Sequence, residues 1–278
     1  MDSAPTISPT LEYSGDMRNL ILGNRTFILQ LAHPSVGAGV MQFSKFREDP
    51  WSRLKEIAYS GNQMMYHGHD AAMAEGKRLR ELHRGIKGID SRGKRYHALN
   101  PEVYGWVHYV FFESTLATHT LFGTPASPEI EDLLFEEWKQ SAAFFGLREK
   151  DLPTTKAAYW EKWHHMMETT LEYNDAIDYV LHLDRHTPPA PPALAKIPEK
   201  MWQHIWNPIG KHSHLMTTGS LPEAYRSKFN SEIPWGVAHQ KQFATHRRRI
   251  KRFFSLMPKQ WRLMPQARKM MRTPMIDN

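Results

Sequence analysis

The chain has 278 residues, a formal net charge of +7, sixteen histidines and no cysteine. A chain of this length buries roughly 75% of its unfolded surface, so it can enclose a sizeable cavity. The absence of cysteine excludes disulfides, thiolate nucleophiles, cysteine-ligated zinc sites and iron–sulfur clusters. Any metal must therefore bind histidine or carboxylate side chains. No run of 18 apolar residues predicts a membrane span.

Helical periodicity and helix-capping residues recur along the chain, whereas the strand signal is poor throughout. Asp16, Asp49-Pro50 and Asn100-Pro101 each precede an apolar helical pattern, as expected for helix N-termini. The sequence therefore predicts an all-α protein of eight to twelve helices.

The composition along the chain predicts four parts. Residues 1–15 read as a flexible N-terminal arm without the basic and apolar segments of a signal peptide, so we expect a cytoplasmic protein. Residues 16–187 form a helical core, and residues 188–198 form an extended, proline-rich connector. Residues 199–278 form a C-terminal helical region whose basic tail is expected to pack on the core.

One histidine lies among apolar residues at helical spacing. Leu79, Leu82, His83 and Ile86 share one face of a predicted helix that ends at Gly88. A buried imidazole is commonly a core residue that binds a backbone carbonyl. It can also be a neutral ligand of a metal or haem iron, so His83 is the candidate metal ligand.

Two further stretches could line a pocket beside His83. In the helix after Pro101, His108 shares a stripe with Phe112, Thr115 and His119. In the helix after Asp49-Pro50, Arg53 lies on the same stripe as Ile57, where it could hold a carboxylate. The alternatives are a polar seam containing the histidines and a surface arginine whose aliphatic stem covers apolar neighbours.

Two other pairs of metal-ligand type carry weaker signals. The glycine between His67 and His69 favours a loop or helix cap over a metal pair. Glu161 and His164 form a Glu-x-x-His motif, but a di-iron bundle requires a second copy of this motif, which the sequence lacks.

The C-terminal tail contains a dense basic and aromatic segment. It includes Arg247, Arg248, Arg249, Lys251, Arg252, Phe253, Phe254 and Trp261. Nucleic-acid binding, docking on an anionic membrane and a solvated helix face all fit such a segment. The aromatic residues favour the membrane over nucleic acid, so the segment predicts peripheral membrane association, with a solvated helix face as the alternative.

A series of short motifs resembles one oxygenase family, which includes latex-clearing rubber oxygenases and the MpaB-like oxygenase of the fungal mycophenolic-acid pathway. The motifs are Leu29-Gln-Leu-Ala-His33-Pro34, Asp49-Pro50-Trp51-Ser52-Arg53-Leu54, Leu82-His83-Arg84-Gly85-Ile86-Lys87-Gly88, Tyr96-His97-Ala98-Leu99-Asn100-Pro101-Glu102 and Trp106-Val107-His108. The resemblance covers roughly residues 17–272 and depends on the order and spacing of the series.

The resemblance implies a globin-like, all-α core that encloses a b-type haem, with His83 as the proximal iron ligand. Arg53 inherits a place close to the haem, and Arg53 and His108 are candidates for contacting a propionate or polarising bound oxygen. Two positions depart from the family pattern. Ile57 stands where a threonine is common, and the segment 35–40 has no carboxylate to act as a base. These departures give no support to rubber-type cleavage.

The sequence therefore predicts a haem-dependent oxygenase or peroxygenase-like oxidase that combines dioxygen or peroxide with an apolar, lipid-like or isoprenoid-like substrate. Two alternatives from other classes remain. One is a haem-binding sensor or carrier without turnover, and the other is a metal-free helical protein that associates with membranes.

Overall fold

The structure is a computed structural model that describes residues 8–272. Fourteen α-helices account for most of this part of the chain, which confirms the all-α prediction. The first seven are α1 (Pro9–Ser14), α2 (Gly23–Leu31), α3 (Pro34–Phe43), α4 (Pro50–Tyr66), α5 (Gly68–His83), α6 (Pro101–Phe122) and α7 (Pro128–Ser141). The others are α8 (Lys156–His165), α9 (Asp175–Leu181), α10 (Glu199–Ser220), α11 (Glu223–Lys228), α12 (Val237–Leu256), α13 (Lys259–Arg262) and α14 (Pro265–Arg272).

Helix α6 lies at the centre of the core because apolar residues occupy most of its sides. It starts where the sequence predicts, with the side chain of Asn100 accepting a hydrogen bond from the Glu102 amide and with Pro101 in the first turn. Its buried side chains pack against α2, α7, α8 and α9; they include Trp106, Tyr109, Val110 and Phe112. At its C-terminal end, Phe122 packs with Met216 of α10 and Phe243 of α12.

One two-stranded hairpin lies between α5 and α6, although the strand signal in the sequence is poor throughout. Strands β1 (Lys87–Ile89) and β2 (Arg95–His97) pair in antiparallel register. The Asp90 carboxylate accepts hydrogen bonds from the Arg92 and Lys94 amides, and Gly93 has a φ of 75°. This turn closes the hairpin because glycine adopts positive φ at little cost and aspartate accepts local backbone amides.

The predicted connector and N-terminal arm both contact the helical body. Two indole N–H groups bind the start of the connector. Trp51 of α4 donates to the Pro189 carbonyl at 2.7 Å, and Trp202 of α10 donates to the Pro188 carbonyl at 2.7 Å. Within the expected arm, residues 1–7 lie outside the described residues. Helix α1 packs on α7, where the Thr10 amide donates to Glu137 at 2.8 Å.

Three other features bear on the predictions. Between residues 8 and 272, no helix combines the length and the hydropathy of a membrane-spanning segment. A π-helical turn, Met166–Thr170, follows α8 and precedes α9. A globin-like arrangement that encloses a haem stays a prediction.

Candidate active site

Helices α4 and α5 form a hairpin that brings Arg53 close to His83. The hairpin turns at His67-Gly68, where Gly68 has a φ of 84°. Arg53 and His83 lie at similar distances from this turn, near the open end of the hairpin. Halfway along, the Ser60 hydroxyl donates to Glu75 at 2.5 Å and fixes the alignment of the helices. Two residues thirty positions apart in sequence thereby become neighbours.

His83 holds one ring nitrogen in its own helix. Its Nδ1 lies 2.7 Å from the Leu79 carbonyl oxygen, one turn earlier. A carbonyl only accepts, so Nδ1 carries the hydrogen and the lone pair lies on Nε2. Burial lowers the pKa of His83, the nearby Arg53 charge lowers it further, and the Leu79 hydrogen bond partly opposes both. A neutral imidazole with a fixed tautomer and an uncommitted Nε2 is what an iron ligand requires.

An aromatic layer closes one side of His83. Tyr104, in the first turns of α6, meets the His83 ring edge to face with centroids 5.6 Å apart. Behind it, Phe145 lies 6.2 Å from the Tyr104 ring. Burial raises the pKa of Tyr104 to about 12, so its phenol stays neutral at physiological pH. This layer limits rotation of the imidazole and keeps charge away from that side.

Arg53 has spare capacity to bind an anion. Its Nη1 lies 3.6 Å from Glu56, and both of these side chains are well exposed. Its Nε is shielded from solvent and has no hydrogen-bond partner in the described part of the chain. The adjacent Leu54 and Ile57 expose 54% and 47% of their surface. A guanidinium can pair with a carboxylate, and the exposed apolar side chains beside it can pack against the apolar part of the same ligand.

His108 occupies a different environment, in the packed core. It is 3% exposed, and its ring stacks on Trp138 with centroids 4.7 Å apart. Its Nε2 donates to the Trp138 carbonyl at 2.9 Å, and the Trp138 indole donates to the His108 carbonyl at 2.9 Å. Phe145 covers it from a distance of 5.1 Å, and burial lowers its pKa to about 4. The structure therefore brings Arg53 to His83 and places His108 behind Tyr104 and Phe145.

Two open depressions lie away from these residues. Their volumes are about 450 Å³ and 230 Å³, and both lie on α12. They are lined by Lys241, Gln242, Ala244, Thr245, His246, Arg247 and Arg248. Neither depression includes His83 or Arg53 in its lining.

Sequence reasoning missed the aromatic neighbours of His83 and one group of possible metal ligands. Tyr104 gives no signal beyond its place near a helix start, and Phe145 lies in the turn after α7. His182, Asp184 and His214 also come together, although the proline-rich connector separates His214 from the other two in sequence. Neither set could be found from spacing along the chain.

The comparisons with known proteins agree with the motif series. Residues 11–252 match the family model described as "ER-bound oxygenase mpaB/B'/Rubber oxygenase, catalytic domain". The matched range includes Arg53, His83 and His108. No curated protein and no solved structure matched the chain. Because one family model covers most of its length, the chain belongs to the mpaB/rubber oxygenase family and is an oxygenase.

Proposed function

We propose that this oxygenase depends on a b-type haem and combines dioxygen or peroxide with an apolar, lipid-like or isoprenoid-like substrate. The proposal depends mainly on the hydrogen bonding of His83. Its Nδ1–H is bound to the Leu79 carbonyl, its Nε2 has no hydrogen bond within residues 8–272, and a cation lies nearby. We assign Nε2 as the proximal ligand atom.

The chain's own residues would orient and tune this ligand. The Leu79 carbonyl holds the imidazole in one tautomer, and the hydrogen bond that it accepts raises the basicity of Nε2. Tyr104 restrains the ring from one side. Arg53 would pair with a propionate through its uncommitted Nε. Burial is the main cause of the lowered pKa of His83, and the Arg53 charge lowers it further. The haem, when bound, would supply the iron chemistry that activates the oxidant.

An apolar substrate fits the surroundings of the hairpin. Leu54, Ile57 and Leu82 expose between 47% and 58% of their surface next to Arg53 and His83 in sequence. Covering this surface with a cofactor and a substrate would remove apolar area from water, at about 25 cal/mol per Å². A direct role for His108 at the cofactor stays a prediction. Its contacts support an indirect role, in which it packs Phe145 against Tyr104.

The surface of α12 supports peripheral attachment to an anionic membrane from the cytoplasmic side. Arg247, Arg248, Arg249, Lys251 and Arg252 are all exposed. Phe253, Leu256 and Trp261 are 61%, 77% and 55% exposed. The basic side chains of α12 would attract anionic headgroups, and the apolar side chains of α12 and α13 would insert among acyl chains. Sedimentation with phosphatidylserine vesicles, compared with phosphatidylcholine vesicles, tests this attachment and should depend on ionic strength.

The Soret absorbance of protein expressed with a haem precursor tests the cofactor proposal. We expect a Soret band in the wild type, and a lost or shifted band in His83→Ala. His164→Ala is the matched control because His164 is an exposed histidine on α8. An unchanged band in His83→Ala contradicts the ligand assignment.

Two other outcomes favour the alternatives. A folded protein without any Soret band indicates a metal-free interaction protein. A haem-loaded, reduced protein that consumes no oxygen with an unsaturated lipid or isoprenoid indicates a sensor or carrier.

A further inference from the structure

A second cluster of metal-ligand side chains lies where the end of α9 meets α10. His182 follows the last residue of α9, Asp184 comes two residues later, and His214 lies on α10. One ring nitrogen of each histidine and one Asp184 oxygen all lie within 4.8 Å of one another. Asp184 Oδ1 is 3.7 Å from Nδ1 of His182 and 3.7 Å from Nδ1 of His214.

Residues on three successive turns of α10 contact the segment that carries His182 and Asp184. The Trp206 indole donates to the carbonyls of Leu183 and His186, both at 2.9 Å. One turn later, Gly210 lets this backbone approach closely, because a Cβ at Gly210 would lie 2.4 Å from the Leu183 oxygen. A further turn on, His214 Nδ1 donates to the Leu181 carbonyl at 2.8 Å, which leaves Nε2 as the ring nitrogen of His214 that can bind a metal. The cluster is therefore fixed by packing as well as by hydrogen bonds.

Two atoms of the cluster are buried and lack hydrogen-bond partners within residues 8–272. They are Nδ1 of His182 and Oδ1 of Asp184. His182 is 3% exposed, so its Nδ1 is shielded from bulk water. Buried polar atoms almost always have partners, and each exception requires an explanation. Their separation of 3.7 Å is too long for a hydrogen bond. A cation between them would bind the lone pairs of both atoms.

We propose that His182, Asp184 and His214 form a binding site for a divalent transition-metal ion. Two imidazole nitrogens and one carboxylate oxygen match zinc sites and non-haem iron sites that keep open positions. The side chains of Asp184 and His214 are 25% and 31% exposed, which leaves room for solvent to complete the coordination. The site shares no residue with the proposed haem site, so either can exist without the other.

A further carboxylate lies beside the cluster. Asp178 Oδ1 lies 3.7 Å from His182 Nε2, and the Tyr173 hydroxyl donates to the same Asp178 oxygen at 2.8 Å. This separation from His182 is also longer than a hydrogen bond, so Asp178 contributes a nearby negative charge and is not counted among the ligands.

Metal titration of the chelator-treated, full-length protein tests the proposal. Binding of Zn²⁺ is measured by calorimetry, and Co²⁺ is added separately as a spectroscopic probe because its absorption reports coordination by histidine. We expect one tight equivalent in the wild type and loss of that equivalent in Asp184→Asn and His214→Ala.

Two controls separate this site from others. His212→Ala removes an exposed histidine of α10 that contacts His246, and His83→Ala removes the proposed haem ligand. Both should bind Zn²⁺ as the wild type does. Asp184→Asn is nearly isosteric, and circular dichroism reports whether it is folded. A folded wild type that binds no Zn²⁺ overturns the proposal, and so does a folded Asp184→Asn variant that binds like the wild type.

Discussion

A buried ion pair joins three helices at the centre of the molecule, and its removal is a stringent test of the fold. Arg25 of α2 binds both carboxylate oxygens of Glu113 of α6, at 2.7 Å and 2.6 Å. The Arg25 Nε donates to the Ser220 carbonyl at the end of α10, at 2.7 Å. Arg25 is 2% exposed and Glu113 is 8% exposed. The substitution Glu113→Gln removes the negative charge and keeps the shape of the side chain.

The expected cost follows from the uncompensated charge. Removing one partner of a buried pair costs about 3–5 kcal/mol, because the other charge remains out of water. The remaining Gln oxygen can still accept one Arg25 hydrogen bond, so the expected loss is about 3 kcal/mol. For a chain of this size, each kcal/mol lowers the melting temperature by roughly 2–4 °C, which gives a decrease of roughly 6–12 °C. Replacing both residues, as in Arg25→Met with Glu113→Leu, should cost no more than the single change.

Urea unfolding followed by circular dichroism measures these differences. The matched control is Glu81→Gln, which breaks the Arg84–Glu81 pair on the surface of α5. Its side chains are 72% and 50% exposed, so the control should lose less than about 1 kcal/mol. The reasoning is refuted if Glu113→Gln loses no more stability than Glu81→Gln. It is also refuted if the double variant loses as much stability as Arg25→Met and Glu113→Leu lose in sum.

Two further predictions concern packing and pH. Gly76→Ala places a Cβ against the backbone carbonyl of Phe144 and should lower the stability by about 3 kcal/mol. Gly61→Ala places a Cβ in open space on α4 and should raise the stability by about 0.5–1 kcal/mol. Thermal unfolding shows whether each variant melts below or above the wild type. Because burial lowers the pKa of His108 from 6.5 to about 4, its neutral form contributes stability above pH 6.5 that is lost as the pH falls toward 4. At 1.36 kcal/mol per pH unit, lowering the pH from 7 to 5 should reduce the free energy of unfolding of His108→Phe by about 2 kcal/mol less than that of the wild type. Urea unfolding at both pH values measures this, and equal reductions in the two proteins would contradict the assignment.

Features set by neighbouring residues could be predicted from the sequence. Asp49 caps α4 by accepting a hydrogen bond from the Ser52 amide, and Asn100 caps α6 in the same way. Apolar periodicity identified α6 as a core helix. In contrast, the hairpin of β1 and β2 depends on pairing between short polar segments that lack a strand pattern. The metal cluster depends on Gly210, whose missing side chain matters only because another segment crosses it.

His83 and His108 have different environments that sequence periodicity alone does not predict. Both histidines lie on apolar helical faces, so periodicity treats them alike. His83 donates to a carbonyl four residues earlier in its own helix, which is a local contact and leaves Nε2 uncommitted. His108 donates to a carbonyl of α7, and stacking on Trp138 fixes its ring inside the core. Each histidine keeps its other ring nitrogen without a hydrogen-bond partner in the described part of the chain, so burial decides whether a ligand can reach that nitrogen. The residues that bury His108 lie in α7 and in the turn after it, far from His108 in sequence.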